Sequence, residues 1–163
     1  MAASRFHLAQ LNIATLLAPI DDPRLAEFVA NLDRINALAE ASRGFVWRLK
    51  GEGNDATSLR PFGEDVIVNM SVWEDAERLF DFVYRTGHTP VMAKRRQWFA
   101  KPERPFLVLW WVRAGHIPTV EEARERLALL RRVGPTPAAF TSKQRFPAPE
   151  DIQDNAMHEG RLK

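Results

Sequence analysis

The sequence YRTGHTPVMAKRRQWF spans residues 84–99 and is predicted to join two helical segments at a corner. Gly87 ends the first segment, because glycine enters the left-handed conformation at little cost. Thr89 and Pro90 suit the cap and the first turn of a second segment, which is predicted to run to about Phe99. The rest of the chain is interpreted as a scaffold that holds this corner over a pocket.

His88 falls at the corner and is the sharpest candidate for chemistry. Its unperturbed pKa lies near neutrality, so it is suited to act as a general acid or base. A hydrogen bond to backbone at the helix junction and ligation of haem iron are the alternatives. Met92 and Arg95 follow by about one and two helical turns, so they are predicted to share its side. Arg95 would either pair with an anionic ligand or lie solvated on the helix surface.

Outward from this corner, the periodicity of the apolar residues predicts alternating strands and helices. Strands are predicted at residues 8–15, 45–49, 65–73, 106–112 and 139–146, and helices at about 23–42, 74–85 and 119–132. The first six elements follow the order βαββαβ, the ferredoxin-like arrangement of an α+β fold, with an extra helix and strand. The 51–63 loop is either a lid or a loose connection.

One face of this sheet would take the helices, and the other face is still apolar and must be covered. A second copy of the chain is the simplest cover. Two sheets packed face to face would form a homodimeric α/β barrel, with a cleft in each chain between the sheet and the helix at 74–85.

Two amides interrupt the predicted strands, Asn12 and Asn69. A buried amide without a partner costs about 1–3 kcal/mol, so the two either bind each other across neighbouring strands or point at a ligand. In a cavity they would grip a carbonyl or hydroxyl, or stabilise an enolate-like oxyanion. Trp47 and Trp110, on central strands, would form the floor of an aromatic pocket or belong to the core.

The residues around the last helix have plainer predicted roles. Thr119 and Glu122 match a capping box, in which the hydroxyl and the carboxylate each satisfy a backbone N–H group. His116, just before them, is predicted to contact backbone in a turn.

Composition narrows the class of protein. The chain has 163 residues, a net charge of +2 and no cysteine, which excludes disulfides and thiolate metal sites. No apolar run is long enough for a membrane span, and the start of the chain lacks a signal-peptide core, so a cytoplasmic location is expected. Charges of both signs are mixed along the chain, so nucleic-acid binding is not expected. Membrane binding is not expected either, and no spacing of histidine, aspartate and glutamate suggests a metal site.

Three segments together resemble one family: LAQLN at residues 8–12, residues 62–73 leading into RTGHTP at 85–90, and LVLWWVRAGHIPT at 107–119. They are similar to the bacterial domain of unknown function DUF3291. The resemblance covers residues 6–147, and 148–163 is interpreted as a polar tail. The family in turn is similar in fold to antibiotic biosynthesis monooxygenases, which are dimeric α/β barrels.

That resemblance implies a homodimer that binds a small molecule, and a monooxygenase-like oxidoreductase acting on an apolar or aromatic compound in the cleft. The implied reaction needs no cofactor, although related barrels include haem proteins. In this hypothesis His88 is catalytic, and the substrate contacts are Asn12, Trp47, Asn69, Met92, Arg95 and Trp110. Two alternatives stay open: a non-catalytic small-molecule or haem-binding sensor, and a structural dimer whose cleft is filled by its own side chains.

Overall fold

The structure, a computed structural model, describes residues 5–87 and 89–149. The strands are β1 Phe6–Thr15, β2 Phe45–Arg48, β3 Val66–Trp73 and β4 Leu107–Arg113. The helices are α1 Ala26–Glu40, α2 Ala76–Gly87, α3 Arg95–Trp98 and α4 Val120–Val133. Short 3-10 turns precede α1 and α3, at Pro23–Leu25 and Met92–Lys94. The four predicted strands up to residue 112 and the three predicted long helices are confirmed, with shifts of a few residues at their ends.

The strands form one antiparallel sheet in the order β2-β3-β1-β4. With α1 between β1 and β2, and α2 between β3 and β4, this is the predicted ferredoxin-like α+β fold. The sheet is open and is not closed into a barrel.

One face of the sheet, called here the α4 side, is sealed by the chain itself. Its side chains alternate along β1, β3 and β4 and are all buried: Ala9, Leu11, Val68, Met70, Val72, Val108, Trp110 and Val112. Helix α4 covers them with Ala123, Leu127 and Leu130. This packing removes the reason for expecting a second copy on this face, because no uncovered apolar face is left there.

The 51–63 loop shares in that cover. Ala56 is buried in the same cluster, and Leu59 and Phe62 pack against it. A side-chain turn shapes the loop, in which Asp55 Oδ1 accepts from the backbone N and the Oγ1 of Thr57 at 2.9 and 2.6 Å. The loop is therefore neither loose nor a lid over the opposite face.

Two predicted elements differ from the structure. A fifth strand at 139–146 does not form; only single bridges occur there, including Leu109 with Phe140 at the outer edge of β4. The second half of the corner is not one helix to Phe99, but a 3-10 turn followed by the single turn of α3. In the part of the chain that the structure describes, no helix is both long and apolar enough to cross a membrane.

Candidate functional site

The opposite face of the sheet, called here the α1/α2 side, is apolar at both ends and polar in the middle. At one end Leu8 and Trp73 pack in a cluster with Leu79 of α2. At the other end Leu16 and Ile67 pack in a second cluster, which also holds residues from α1 and α3. Because side chains alternate along a strand, the positions between these ends all face the same helices.

Those middle positions hold the amide cluster, defined as Gln10, Asn12, Asn69 and Ser71. The register places Asn12 directly opposite Asn69, and Gln10 directly opposite Ser71. Gln10 Nε2 donates to Asn69 Oδ1 at 2.6 Å and to Ser71 Oγ at 2.7 Å. Asn12 Nδ2 donates to Gln10 Oε1 at 3.0 Å and to Asn69 Oδ1 at 3.3 Å. The predicted cross-strand bond between the two asparagines is therefore present.

The cluster leaves two polar groups without partners. The bonds above use the oxygen of Asn69 and the nitrogen of Asn12, while Asn69 Nδ2 and Asn12 Oδ1 have no hydrogen bond to any residue in the described ranges. One is a donor and the other an acceptor, and they lie on directly opposed residues. The pair can therefore receive a ligand oxygen that accepts one hydrogen bond and donates another.

Asn69 is exposed although it lies on β3, an inner strand of the sheet. Its neighbours on the same side of β3, Ile67 and Ser71, are both buried. At one end of this side, Ala39 of α1 and Leu79 of α2 belong to the same buried cluster as Trp73. The exposure of Asn69 shows that solvent reaches the amide cluster on this side of the sheet.

The rest of the network is buried and rigid. Gln10 is 4 % exposed and Ser71 is 7 % exposed. Trp73 is buried, donates from Nε1 to Ser71 Oγ at 2.9 Å, and stacks on Phe82 of α2 with ring centroids 5.1 Å apart. Ser71 therefore links the amide cluster to the aromatic packing under α2.

Other predicted site residues are less closely tied to this cluster. His88 lies outside the described residues, so the structure does not test its position. Met92 begins the 3-10 turn before α3 and is half-buried. Arg95 is exposed at the start of α3, and its side chain forms no ion pair or hydrogen bond with the described part of the chain.

Trp47 and Trp110 do not share the cleft with the asparagines. Both belong to the cluster on the α4 side of the sheet, and Trp110 is fully buried there. A register shift between Phe45 and Trp47 helps to set the face of β2 that Trp47 occupies. The expected arrangement of two amides over a floor of two tryptophans is therefore not found.

The predicted capping box is half present. Thr119 Oγ1 accepts from the backbone N of Glu122 at 3.1 Å. The carboxylate of Glu122 turns away from the helix start and binds Trp110 Nε1 at 3.2 Å and His116 Nε2 at 2.8 Å. His116 thus bonds a side chain through its ring, a different role from the predicted backbone contact.

Sequence reasoning missed Gln10, Ser71 and Trp73 as members of the site. The signal was present, because Gln10 alternates with Asn12 in β1 and Ser71 alternates with Asn69 in β3. What the sequence did not give was the register that pairs these positions.

The amide cluster coincides neither with a candidate metal site among the described residues nor with either of two surface cavities. Among the described residues, no group of three or more histidine, cysteine, aspartate or glutamate side chains could hold a metal ion. Two surface cavities, of about 460 and 420 Å³, have linings that include no member of the amide cluster. The amide cluster is thus a polar patch on the α1/α2 side that is separate from both cavities.

The model of the family described as domain of unknown function DUF3291 matches residues 7–156, and the chain belongs to this family. No curated protein matches its sequence.

Several solved structures resemble this chain in fold. SnoaB, a cofactor-independent oxygenase from Streptomyces nogalater, is 20% identical with a TM-score of 0.40, over 68% of this chain and 95% of that one. NE2512, a protein of unknown function from Nitrosomonas europaea, is 18% identical with a TM-score of 0.42, over 71% and 97%. A putative antibiotic biosynthesis monooxygenase from Chloroflexus aurantiacus is 12% identical with a TM-score of 0.42, over 70% and 98%. This likeness concerns the fold alone.

Proposed function

We propose that this DUF3291 protein binds an apolar or aromatic small molecule over Asn12 and Asn69 and oxidises it in a monooxygenase-like reaction without a cofactor. The observation that carries the proposal is the open donor and acceptor pair, Asn69 Nδ2 and Asn12 Oδ1, in the middle of an otherwise apolar side of the sheet. Ligand sites commonly combine apolar walls with a few fixed polar groups.

The fixed position of the pair supports a role in orienting charge. Asn69 Oδ1 accepts two hydrogen bonds, so its amide plane is held and its Nδ2 points away from Gln10 and Asn12. A held N–H donor stabilises a developing oxyanion more than a mobile one does, because it needs no reorganisation during the reaction. Asn12 Oδ1 would accept from a hydroxyl beside that oxyanion.

The proposed chemistry needs a substrate that supplies its own electrons. Loss of a proton from a CH2 group conjugated with a carbonyl gives an enolate-type anion, whose oxygen Asn69 would stabilise. The carbanion then adds O2 and a proton to form a hydroperoxide, which loses water and leaves a second carbonyl. The CH2 group is oxidised to C=O, and O2 is reduced to one carbonyl oxygen and one water.

His88 is proposed to exchange the proton, Met92 to supply an apolar contact, and Arg95 to pair with an anionic group. Trp47 and Trp110 are given no role here, because they lie on the α4 side. The proposed reaction uses no haem. His88, which was also predicted as a possible haem ligand, is given the proton-exchange role instead. All of these groups belong to one chain, so the proposal makes no use of a second copy.

A hydroxyanthrone tests the proposal, because its CH2 group is conjugated with a carbonyl across the central ring and hydroxyls flank that carbonyl. The full chain should take up one O2 per molecule of hydroxyanthrone, measured with an oxygen electrode, and form the quinone, measured by absorbance. Asn12→Ala and Asn69→Ala should each lower kcat/KM by about tenfold or more, because Asn69→Ala removes the donor to the oxyanion and Asn12→Ala removes the acceptor for the neighbouring hydroxyl. Gln144→Ala, an exposed amide outside the cleft, is the matched control and should leave kcat/KM unchanged.

Two results would overturn parts of this proposal. Binding of the hydroxyanthrone without oxygen uptake, across a panel of related compounds, would remove the reaction and leave the non-catalytic binding module. Unchanged binding and turnover in Asn69→Ala would remove the site itself. Unchanged binding and turnover of an identified substrate in His88→Ala would remove the proton-exchange role of that residue.

A further inference from the structure

A second cavity, of about 420 Å³, opens on the outer surface of α4, away from the amide cluster. Four arginines line it together with two apolar side chains: Arg104, Arg124, Arg131, Arg132, Phe62 and Leu127. No acidic side chain lines the cavity within the ranges that the structure describes.

Three elements bring these arginines together. Arg124, Arg131 and Arg132 lie on neighbouring turns of α4, at spacings that place them on one side of a helix. Arg104 comes from the connection before β4, and Phe62 comes from the 51–63 loop that packs against α4. The cavity therefore exists only in the folded chain.

Two of the arginines are fixed in place without losing their charge. Arg124 Nη2 donates to the carbonyl oxygen of Pro61 at 2.7 Å, and its guanidinium lies 5.6 Å from the centre of the Phe62 ring. Arg131 Nε donates to the carbonyl oxygen of Pro105 at 2.8 Å. Partial burial and then the nearby charge of Arg104 lower the pKa of Arg131. A neutral carbonyl holds a guanidinium but leaves its positive charge uncompensated.

The other two arginines are available to a ligand. Arg104 and Arg132 are exposed and form no hydrogen bond or ion pair with any described residue. One ion pair involves this group: Glu121 Oε2 lies 3.7 Å from Arg124 Nε at the surface, and 70% of the Glu121 side chain is exposed. Four positive charges around one cavity repel each other, and an anion placed between them would relieve that repulsion.

We propose that this cavity binds a small organic anion with two or more negative charges beside a planar apolar group. Guanidinium groups bind phosphate and carboxylate oxygens in a bidentate geometry, which favours ligands of this charge. The ring of Phe62 provides an apolar surface for the planar part. The cavity volume is within the range of small-molecule sites. This site is separate from the proposed oxidation over Asn12 and Asn69.

Isothermal titration calorimetry of the full chain at low ionic strength tests the proposal with four probes. AMP carries a phosphate on a planar base, phthalate carries two carboxylates on a ring, and adenosine and inorganic phosphate each carry only one of the two features. We expect AMP, phthalate or both to bind at least about tenfold more tightly than adenosine and phosphate, and binding to weaken as salt is added. Binding of AMP alone identifies a phosphate ester, and binding of phthalate alone identifies a dicarboxylate.

The double substitution Arg104→Gln with Arg132→Gln should weaken that binding by about tenfold or more, since both free guanidinium groups are lost. It breaks no hydrogen bond or ion pair between described residues and removes two of four like charges, so the melting temperature should not fall. Arg43→Gln, an exposed arginine after α1, is the matched control and should bind as the wild type does.

Three results would overturn the proposal. Neither AMP nor phthalate binds more tightly than adenosine and phosphate. The double variant binds as tightly as the wild type. A short DNA duplex binds more tightly than AMP and displaces it, which would assign the arginines to nucleic acid.

Discussion

The two sides of the sheet are built from the same strands, yet they differ in what covers them and in what they expose. On the α4 side every middle position of the inner strands is apolar, and α4 with the 51–63 loop leaves none of them open. On the α1/α2 side the middle positions of β1 and β3 are three amides and a serine, and Asn69 is exposed. The difference indicates that the α4 side mainly stabilises the fold. The α1/α2 side has polar side chains at the positions where the α4 side has apolar packing.

The adjacent residues Trp110 and Trp111 allow the largest test of this difference, because they point to opposite sides of β4. Trp110 is fully buried on the α4 side, whereas Trp111 is half-buried on the α1/α2 side. Trp110→Ala should lower the free energy of unfolding by about 3–5 kcal/mol, because it leaves a cavity and removes the bond to Glu122.

Urea unfolding of both variants measures the change in the free energy of unfolding. Trp111→Ala should lower that free energy clearly less than Trp110→Ala does. An equal or larger loss for Trp111→Ala would show that the α4 side is not the principal source of stability.

Ser71→Ala should cause the next largest loss in the free energy of unfolding. The hydroxyl accepts from Gln10 Nε2 and from Trp73 Nε1, both in buried surroundings. Its removal leaves the Trp73 indole without its acceptor, so a loss of about 1–3 kcal/mol in unfolding free energy is expected. Ser142→Ala, at an exposed position, should change the unfolding free energy by less than about 0.5 kcal/mol. If the two serine variants unfold at the same urea concentration, the amide cluster is not a connected network.

Asn69→Ala should affect stability less, although it abolishes most of the proposed activity. It removes two hydrogen bonds at a solvent-exposed position, and the unfolding free energy should fall by about 0.5–1.5 kcal/mol. Thermal unfolding and kcat/KM measured on the same sample would separate the two effects. A large loss of stability would place Asn69 with the structural residues of the α4 side.

The smallest expected change in the free energy of unfolding is at Asp22, which caps the 3-10 turn before α1. Hydrogen bonds from the side chain and the backbone of Arg24 lower the pKa of Asp22 below its ordinary value of 3.8. A lowered pKa in the folded state favours the charged form, so its contribution is present above pH 3.8 and is lost as the pH falls through the folded-state pKa.

Asp22→Asn should therefore be less stable than the wild type near neutral pH. That difference should shrink in acid, as followed by urea unfolding between neutral and acidic pH. A difference that stays constant across this range would contradict the assigned interaction.

Much of the fold follows from local sequence signals. The alternation in Leu8 to Thr15, the Asp22-Pro23 start of α1 and the stop at Gly44 predict elements that the structure confirms, and Gly44 has a φ of 86°. What local signals do not contain is the partner of each face. The apolar α4 side suggested a second copy, because nothing local in α4 or in the 51–63 loop shows where they will pack.

Only part of the candidate site could be predicted, because local sequence signals do not contain the strand register. Asn12 and Asn69 stand out as amides among apolar neighbours, and the structure does place them opposite each other. Trp47 and Trp110 were grouped with them on residue type, but the face that a strand residue occupies depends on register, and a register shift in β2 precedes Trp47. One sequence-based alternative, that Asn12 and Asn69 bond each other, is confirmed, whereas Trp47 and Trp110 lie on the other side of the sheet from the asparagines.

The most direct measurement of the central claim is an NMR titration of the side-chain amide signals with a hydroxyanthrone under anaerobic conditions, so that the ligand binds without being consumed. We predict that the Nδ2 signals of Asn12 and Asn69 shift during the titration, while the indole signal of Trp110 on the α4 side stays in place. Shifts at Trp110 and along α4 with unchanged asparagine signals would contradict a ligand site on the α1/α2 side of the sheet.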